Sequence, residues 1–335
     1  MDIAGDRSWP EGGGSELLQI AVGTFGILAL ELALIRWMAG QIRIFAYLTN
    51  VVLISAFLGM GVGLVIGRRR PGLRHATLPL LALVCIPLAF ADRLGLTRMT
   101  FPDPSIHLWG GEAGGVPFFA AAKGYLCVLA LVAGIVAVFT CAASPIGHLF
   151  ARTGGLRSYS ADLLGSLAGT LAAAAITAVQ AGPPVWLLVG AAPFLWLSRS
   201  VLSVVALAAV VALGQASVRG AVYSPYNRID VAKTESGVTL FVNRDFHQYM
   251  FDLSHVEGND LMSRVRTMYD LPFILGEPRE RALIVGAGTG NDAQAALRNG
   301  FASVGAVEID PRIVELGRRS HPERPYDDPR VSVVV

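Results

Sequence analysis

Long uninterrupted apolar stretches dominate the first two thirds of this chain. Aliphatic, aromatic and cysteine residues make up 53% of its 335 residues, and Asp, Glu, Lys and Arg only 16%, against about 25% charged residues in ordinary soluble domains. Residues 1–217 hold 22 of the 52 charged side chains, and residues 218–335 hold the other 30. An apolar segment of about 20 residues crosses a bilayer as a helix, because hydrocarbon offers no partner for free backbone groups. The sequence therefore predicts a multi-span α-helical membrane domain, followed by a soluble region.

The membrane domain is predicted at residues 17–216, after a polar N-terminal tail at 1–16 that lacks the features of a secretory signal. We predict six to eight spans, and the lipid bilayer is the expected partner. The candidate spans are 17–38, 45–67, 76–91, 117–142, 160–181, 184–198 and 200–216, with 99–116 as a further candidate.

Two of these spans carry small residues at every fourth position. Small residues at this spacing let helix backbones approach closely where no hydrophobic force drives association. We interpret both sets as helix-packing surfaces. They are Gly59, Gly63 and Gly67 in the second span, and Ala161, Gly165, Gly169 and Ala173 in the fifth.

Four charged residues fall within the predicted spans, where each is costly. Arg36, Lys123 and Asp162 lie close enough to a span end to extend into the membrane interface. Glu31 lies deeper. Its two interpretations are an ion pair with a neighbouring helix and a path for protons or substrate.

The basic loop Arg68–Arg74 indicates the topology. By the positive-inside rule this loop is cytoplasmic, and Arg152, Arg157 and Arg199 fall on the same side. The soluble region is expected inside the cell, because the motif described below is typical of units that bind an intracellular cofactor. We therefore predict a multi-pass protein of the cell membrane with an even number of spans and a cytoplasmic soluble region.

Composition also limits the other partners. A formal net charge of +2 does not favour nucleic acid. The cysteines Cys85, Cys127 and Cys141 all lie in apolar stretches, without a metal-ligand or disulfide spacing. We predict no metal site.

The soluble region is predicted to contain a small β-domain at 220–253 and a partial α/β nucleotide-binding domain, Rossmann-like, at 254–335. Asn291 or Asp292 can cap a helix that ends at Gly300, and Asp310 can cap one that begins at Pro311. The predicted strands are 227–234, 238–242, 281–285, 304–308 and 330–335, with an amphipathic helix at 253–269.

A glycine-rich turn follows the strand at 281–285. Gly286, Gly288 and Gly290 allow a sharp turn and close approach of the backbone to a ligand. Glu308 ends the next strand, where a carboxylate can accept hydrogen bonds from ribose hydroxyls. A dinucleotide fingerprint would have glycine where Asn291 stands. S-adenosylmethionine is therefore favoured over a nicotinamide or flavin cofactor, and a unit that binds no ligand is the remaining alternative.

At these residues the chain resembles the spermidine synthase family, specifically its bacterial membrane-fused relatives. The resemblance covers the nucleotide-binding core from Ala282 to Val335, with Val307–Pro311 and Tyr326–Val331 as its motifs. It also covers the short motif Ser224–Ile229 and the hairpin Leu240–Gln248. The stretches 25–67 and 159–169 resemble the membrane half of the fused proteins. The resemblance implies S-adenosylmethionine or its decarboxylated form as cofactor. The cofactor-binding residues that it implies are Gly286, Gly288, Thr289, Gly290, Glu308, Asn227 and Gln248.

The chain also departs from this family. Polyamine synthases carry Gln in place of Asn227 and an acidic residue in place of Thr289, and their paired acids for a cationic amine are reduced here to Asp252. Thr289 is typical of methyltransferases, which favours the intact, carboxylated cofactor.

Family members continue past the third strand with an acidic residue that contacts adenine and a catalytic Asp. This chain stops at Val335, so we expect it to be incomplete, and its catalytic residues stay unknown. Asp245, His247 and Asp252 are the nearest acid–base candidates, although solvated hairpin positions explain each of them as well.

The leading functional hypothesis is a membrane-anchored S-adenosylmethionine-dependent transferase related to spermidine synthases, a methyltransferase among the possibilities, with an unknown small-molecule acceptor. The alternatives are a true polyamine aminopropyltransferase that uses decarboxylated S-adenosylmethionine, and a transporter or membrane scaffold with a nucleotide-sensing soluble domain.

Overall fold

A computed structural model of the chain describes residues 14–97, 99, 118–153, 155–234, 237–275 and 279–335. The chain divides into two units, Met1–Arg219 and Gly220–Val335. The described part of the first unit is helical. Its helices are α1 (Gly14–Gln41), α2 (Arg43–Tyr47), α3 (Thr49–Gly67), α4 (Thr77–Ala89), α5 (Phe118–Thr153), α6 (Gly155–Ala178), α7 (Pro183–Ser198) and α8 (Val201–Val218), with a 3-10 turn at Pro71–Ala76 before α4.

Six helical segments in the described ranges are long and apolar enough to cross a membrane, and we conclude that this is a membrane protein. They are α1, α3, Pro71–Ala89, α5, α6 and α8. The apolar helix α7 has 16 residues, so it is about 24 Å long against about 30 Å of hydrocarbon. The candidate span at 99–116 falls almost entirely outside the described residues.

Two predicted boundaries are wrong. The predicted span at 45–67 is interrupted, because Leu48 has a non-helical backbone and separates α2 from α3. The predicted span at 117–142 continues to Thr153 as part of α5, which carries Pro145 in its interior.

The predicted glycine surfaces pack against neighbouring helices, as expected. A Cβ atom on Gly59, Gly63 or Gly67 of α3 would collide with backbone carbonyl oxygens of α5. Gly165 and Gly169 of α6 make the same close approach to α1. These contacts are between backbones, so a larger side chain at these positions has no flexible neighbour to displace. The carbonyl oxygens concerned belong to Val136, Thr140 and Ser144 on α5 and to Ala21 and Phe25 on α1.

The charged residues of the spans differ in their surroundings. The Arg36 guanidinium does not extend freely into the interface, since it donates to Thr177 Oγ1 at 2.7 Å and lies 4.3 Å from the centre of the Trp186 ring. Lys123 Nζ donates to the carbonyl oxygen of Leu94 at 3.3 Å, in an exposed setting. Glu31 is buried, and neither of its carboxyl oxygens has a hydrogen-bond partner among the described residues. The interpretation of Glu31 as half of an ion pair is therefore wrong for the described part of the chain.

The second unit contains two sheets. Strands β1 to β4 form an antiparallel sheet in chain order, and β5 to β7 form a parallel sheet in the order β5-β6-β7. The strands are β1 (Val222–Tyr223), β2 (Arg228–Thr234), β3 (Gly237–Val242), β4 (Asp245–Met250), β5 (Arg281–Val285), β6 (Ser303–Val307) and β7 (Val331–Val334), and the helices are α9 (Asp260–Ile274), α10 (Asn291–Arg298) and α11 (Pro311–Ser320).

One of the predicted helix N-caps in this unit is confirmed and another is wrong. Asp310 caps α11, since its carboxylate accepts from Arg312 N at 3.0 Å, as predicted. The cap of α10 is not Asn291 or Asp292 but Gly290, in a left-handed conformation. The helix predicted at 253–269 instead begins at Asp260, because Asn259 accepts from Met262 N and supplies its cap.

Candidate functional site

The glycine turn between β5 and α10 is the best-supported candidate site. Gly286, Gly288 and Gly290 all have positive φ angles, of 77°, 58° and 113°, which residues with side chains rarely adopt. The Tyr326 hydroxyl group donates to the carbonyl oxygen of Gly288 at 2.8 Å. Pro325 and the Tyr326 ring both lie against Gly290. The turn is thus held in one conformation by the segment that precedes β7.

Glu308 lies directly beside this turn, one residue after β6. Its Oε2 accepts from Gly288 N at 2.8 Å, and its Oε1 accepts from Asp310 N at 2.9 Å. The carboxylate is only 7% exposed. An ionised carboxylate has about four lone-pair sites, so these two bonds leave acceptor capacity for the hydroxyl groups of a ligand.

Gln248 on β4 contacts the opposite side of the turn. Its Oε1 accepts from both Thr289 N and Thr289 Oγ1, at 3.0 and 2.9 Å. A Cβ atom on Gly288 would lie 2.6 Å from the same oxygen. The space beside Gly288 that we expected a cofactor to use is therefore filled by the Gln248 carboxamide, which is a flexible side chain.

Asn227 is placed differently from the other predicted site residues. Its Oδ1 accepts from Asn243 Nδ2 at 2.9 Å, and its carbonyl oxygen accepts from Ser224 N. The Ser224 hydroxyl group in turn donates to Asp310 Oδ2 at 2.6 Å. Asn227 thus shapes the turn before β2. It is linked to the glycine turn through Ser224, Asp310 and Glu308.

Asn291 is a site residue that the sequence did not single out as such. Its side chain is buried and makes four polar contacts in the space between β4, α9 and α11. In the sequence Asn291 stood out as a candidate helix cap and as the residue that replaces a dinucleotide glycine, and neither signal predicts its hydrogen-bond partners. The partners are Tyr249 O at 2.6 Å, Tyr269 Oη at 3.0 Å, Phe251 N at 3.2 Å and His321 Nε2 at 3.0 Å.

His321 is held as a neutral imidazole in this cluster. Its Nδ1 accepts from Glu323 N at 3.2 Å, which leaves Nε2–H to donate to Asn291 Oδ1. Burial and then the positive charge of Arg298 lower the pKa of His321 to about 4. Arg298 is itself bonded to Glu323 and Asp270. At neutral pH this neutral imidazole accepts one hydrogen bond and donates another, and it lacks the second ring proton that an imidazolium would give up as a general acid.

We expect the second unit to lose stability in acid because of His321. Its pKa is about 4 when folded and about 6.5 when unfolded. Between these two pH values the unfolded chain therefore binds a proton that the folded chain does not. Because of His321, the free energy of unfolding falls by roughly 2–3 kcal/mol as the pH decreases from about 6.5 towards about 4. Pulse proteolysis of the full chain in urea, read with a C-terminal tag, measures this loss. His321→Gln should flatten this part of the pH dependence, and an unchanged slope in that variant would contradict the assignment.

The three acid–base candidates lie in solvated positions. Asp245 Oδ1 accepts from the neighbouring Phe246 N at 3.0 Å, and His247 is exposed. Asp252 is exposed too, and its hydrogen bond with Ser254 lowers the pKa of its carboxyl group. The structure therefore places none of these three side chains against the glycine turn, among the contacts of the described residues.

No protein-family profile matches this chain, and no curated protein sequence matches it.

Proposed function

We propose that this protein is a membrane-anchored S-adenosylmethionine-dependent transferase related to spermidine synthases, with its second unit as a partial Rossmann-like cofactor-binding domain. The observation that carries the proposal is the hydrogen bond between Gly288 N and the Glu308 carboxylate, at 2.8 Å. It joins a glycine turn after one parallel strand to an acidic residue after the next strand. This pairing is typical of folds that bind a ribose-containing cofactor at the carboxyl ends of parallel strands.

The residues around the turn fit the intact cofactor better than its decarboxylated form. Thr289 N–H and Thr289 Oγ1–H both point at one acceptor, which is now Gln248 Oε1. The carboxylate of S-adenosylmethionine can replace that oxygen, whereas the decarboxylated cofactor keeps only an ammonium group and cannot accept these bonds. In this proposal Glu308 receives the ribose hydroxyls and Gln248 moves aside. The bound cofactor would supply an activated methyl group to an acceptor that is still unknown.

Calorimetric titration of the full-length protein in detergent tests this function. The expected order of affinity is S-adenosylmethionine first, then decarboxylated S-adenosylmethionine, then a nicotinamide dinucleotide. Tighter binding of the decarboxylated form would favour the aminopropyltransferase alternative. Tighter binding of the dinucleotide, or binding of none of the three, would refute the proposal.

The second candidate function is a transporter or membrane scaffold whose soluble unit senses a nucleotide. The observation that favours it is Glu31, a buried carboxyl group on a membrane helix without a hydrogen-bond partner among the described residues. Ionisable groups in such positions are often part of ion or substrate paths.

We further propose that the loop Arg68–Arg74 and the second unit share the cytoplasmic side. This arrangement requires an even number of crossings. It would hold if the six long apolar segments cross and the short helix α7 does not, an arrangement that puts Arg199 on the opposite side from the loop, contrary to its predicted position. Single cysteines placed in the loop and near the C-terminus, in a chain whose native cysteines are replaced by alanine, should both resist a membrane-impermeant maleimide in right-side-out vesicles. Labelling of one site and not the other would contradict the shared side.

A further inference from the structure

Glu31 occupies the interior of the membrane unit. It lies ten residues before the end of α1 at Gln41, which is about 15 Å along the helix axis. Its side chain is 2% exposed, and neither Oε1 nor Oε2 has a hydrogen-bond partner among the residues that the structure describes. Buried polar groups almost always have a partner, and a buried carboxylate without one is costly. Glu31 is therefore an exception that calls for an explanation.

The neighbouring helices provide no countercharge at this depth. The segments 49–67, 77–89, 124–147, 163–178 and 183–198 contain no Lys, Arg, His, Asp or Glu. The charged and basic side chains on helices that contact α1 are Arg43 on α2, Lys123, His148 and Arg152 on α5, and Arg157 and Asp162 on α6. The remaining titratable groups on those helices are thiols and phenols, namely Tyr47, Cys85, Tyr125, Cys127, Cys141 and Tyr159.

These charged side chains lie near the helix ends. Arg152 pairs with Glu16 at 3.4 Å, at the other end of α1 from Gln41. Lys123 bonds to Leu94 O, outside the helices. Arg36, on α1 itself, is five residues from Glu31 and so about 140° around the helix. Its guanidinium group contacts Thr177 and Trp186 instead.

We propose that Glu31 is a proton-binding site of the membrane unit, which carries an exchangeable proton as a neutral carboxylic acid near neutral pH. The described helices bring no cationic side chain to Glu31, and a proton is the smallest species that removes its charge from the apolar interior. Thr24 lies seven residues earlier, on the same face of α1. Its hydroxyl group contacts the carbonyl oxygen of Asp162 near the start of α6. The inference stands independently of the cofactor proposed for the second unit.

Infrared difference spectroscopy of the full-length protein in lipid bilayers tests this site. We expect a carbonyl stretch of a protonated carboxyl group that shifts in D₂O, is present in acid and disappears at alkaline pH. Glu31→Gln should remove this band. The matched control is Glu16→Gln, which removes an acidic side chain at the start of the same helix and should leave the band in place. If Glu31→Gln does not fold, Glu31→Asp should shift the band.

Two results would overturn the proposal. The absence of any band that depends on Glu31 would mean that its carboxylate stays ionised across the whole range. A band that depends on Glu31 but survives at alkaline pH would mean a permanently neutral acid that exchanges nothing.

Discussion

Gly63→Leu is expected to prevent stable assembly of the membrane unit. A Cβ atom at Gly63 would collide with the carbonyl oxygen of Thr140 and lie 2.9 Å from Ala143 Cβ, so α3 and α5 would have to separate. Overpacking costs about 1–3 kcal/mol even where side chains can adjust, and here the obstacle is backbone. We expect a loss of at least about 3 kcal/mol, a large share of the roughly 5–15 kcal/mol that holds a domain together. Titration with sodium dodecyl sulfate, followed by the fluorescence of the buried Trp37 and Trp186, measures this loss.

Gly61→Leu is the matched control for this change. It lies on the same helix, two residues away, and a Cβ atom there meets no atom within 4 Å. The substitution adds the same side chain and the same helix propensity, so any difference between the two variants reports the contact with α5. Equal unfolding midpoints for the two variants would contradict the packing described here.

Hydropathy predicted the membrane helices because burial in lipid and helix formation impose the same pattern on the chain. It did not predict where they end. The part of α5 beyond residue 142 contains Ser144, Pro145 and His148. These residues lower the local hydropathy, so a hydropathy pattern predicts the end of a span there. In the second unit, the start of α9 is set by local chemistry. Gly258 has a left-handed backbone and Asn259 caps the helix, a signal that was present in the sequence but was outweighed by the amphipathic pattern before it.

The glycine turn and Glu308 were predictable together, because the turn follows one strand and the acid follows the next strand of the same parallel sheet. The contacts of Gln248 with Thr289 and of Tyr249 with Asn291 were not predictable from spacing. They join strand β4 to the glycine turn and to the start of α10, between residues 41 and 42 positions apart. The pattern within either segment contains no information on how the antiparallel sheet meets the turn. The resemblance to spermidine synthases suggested Gln248 as a cofactor residue, but not that it would fill the space beside Gly288.

Glu308→Gln is expected to lower the affinity for S-adenosylmethionine about ten- to hundredfold, if the second unit binds this cofactor as proposed. A hydrogen bond to a charged group is worth roughly 1.5–3 kcal/mol, and each 1.4 kcal/mol is a factor of about ten. Glutamine keeps the shape of the side chain but turns one acceptor oxygen into a donor. That donor would face Gly288 N or Asp310 N, which now donate to the two carboxylate oxygens. Calorimetric titration of the full chain measures the change in affinity.

Because Glu308 also holds the glycine turn, the loss of affinity must be separated from a loss of folding. Pulse proteolysis of the ligand-free variant measures its free energy of unfolding. We expect a decrease of about 1–3 kcal/mol, which still leaves the unit folded at neutral pH. Glu315→Gln is the matched control, since the Glu315 side chain is 57% exposed and, among the residues that the structure describes, pairs only with Arg312 three residues earlier on α11. It removes the same charge from the same unit, so it should leave the affinity unchanged within about twofold. Equal affinities for Glu308→Gln and Glu315→Gln, with both variants folded, would mean that the ribose does not bind at Glu308. The cofactor would then have to be sought away from the glycine turn.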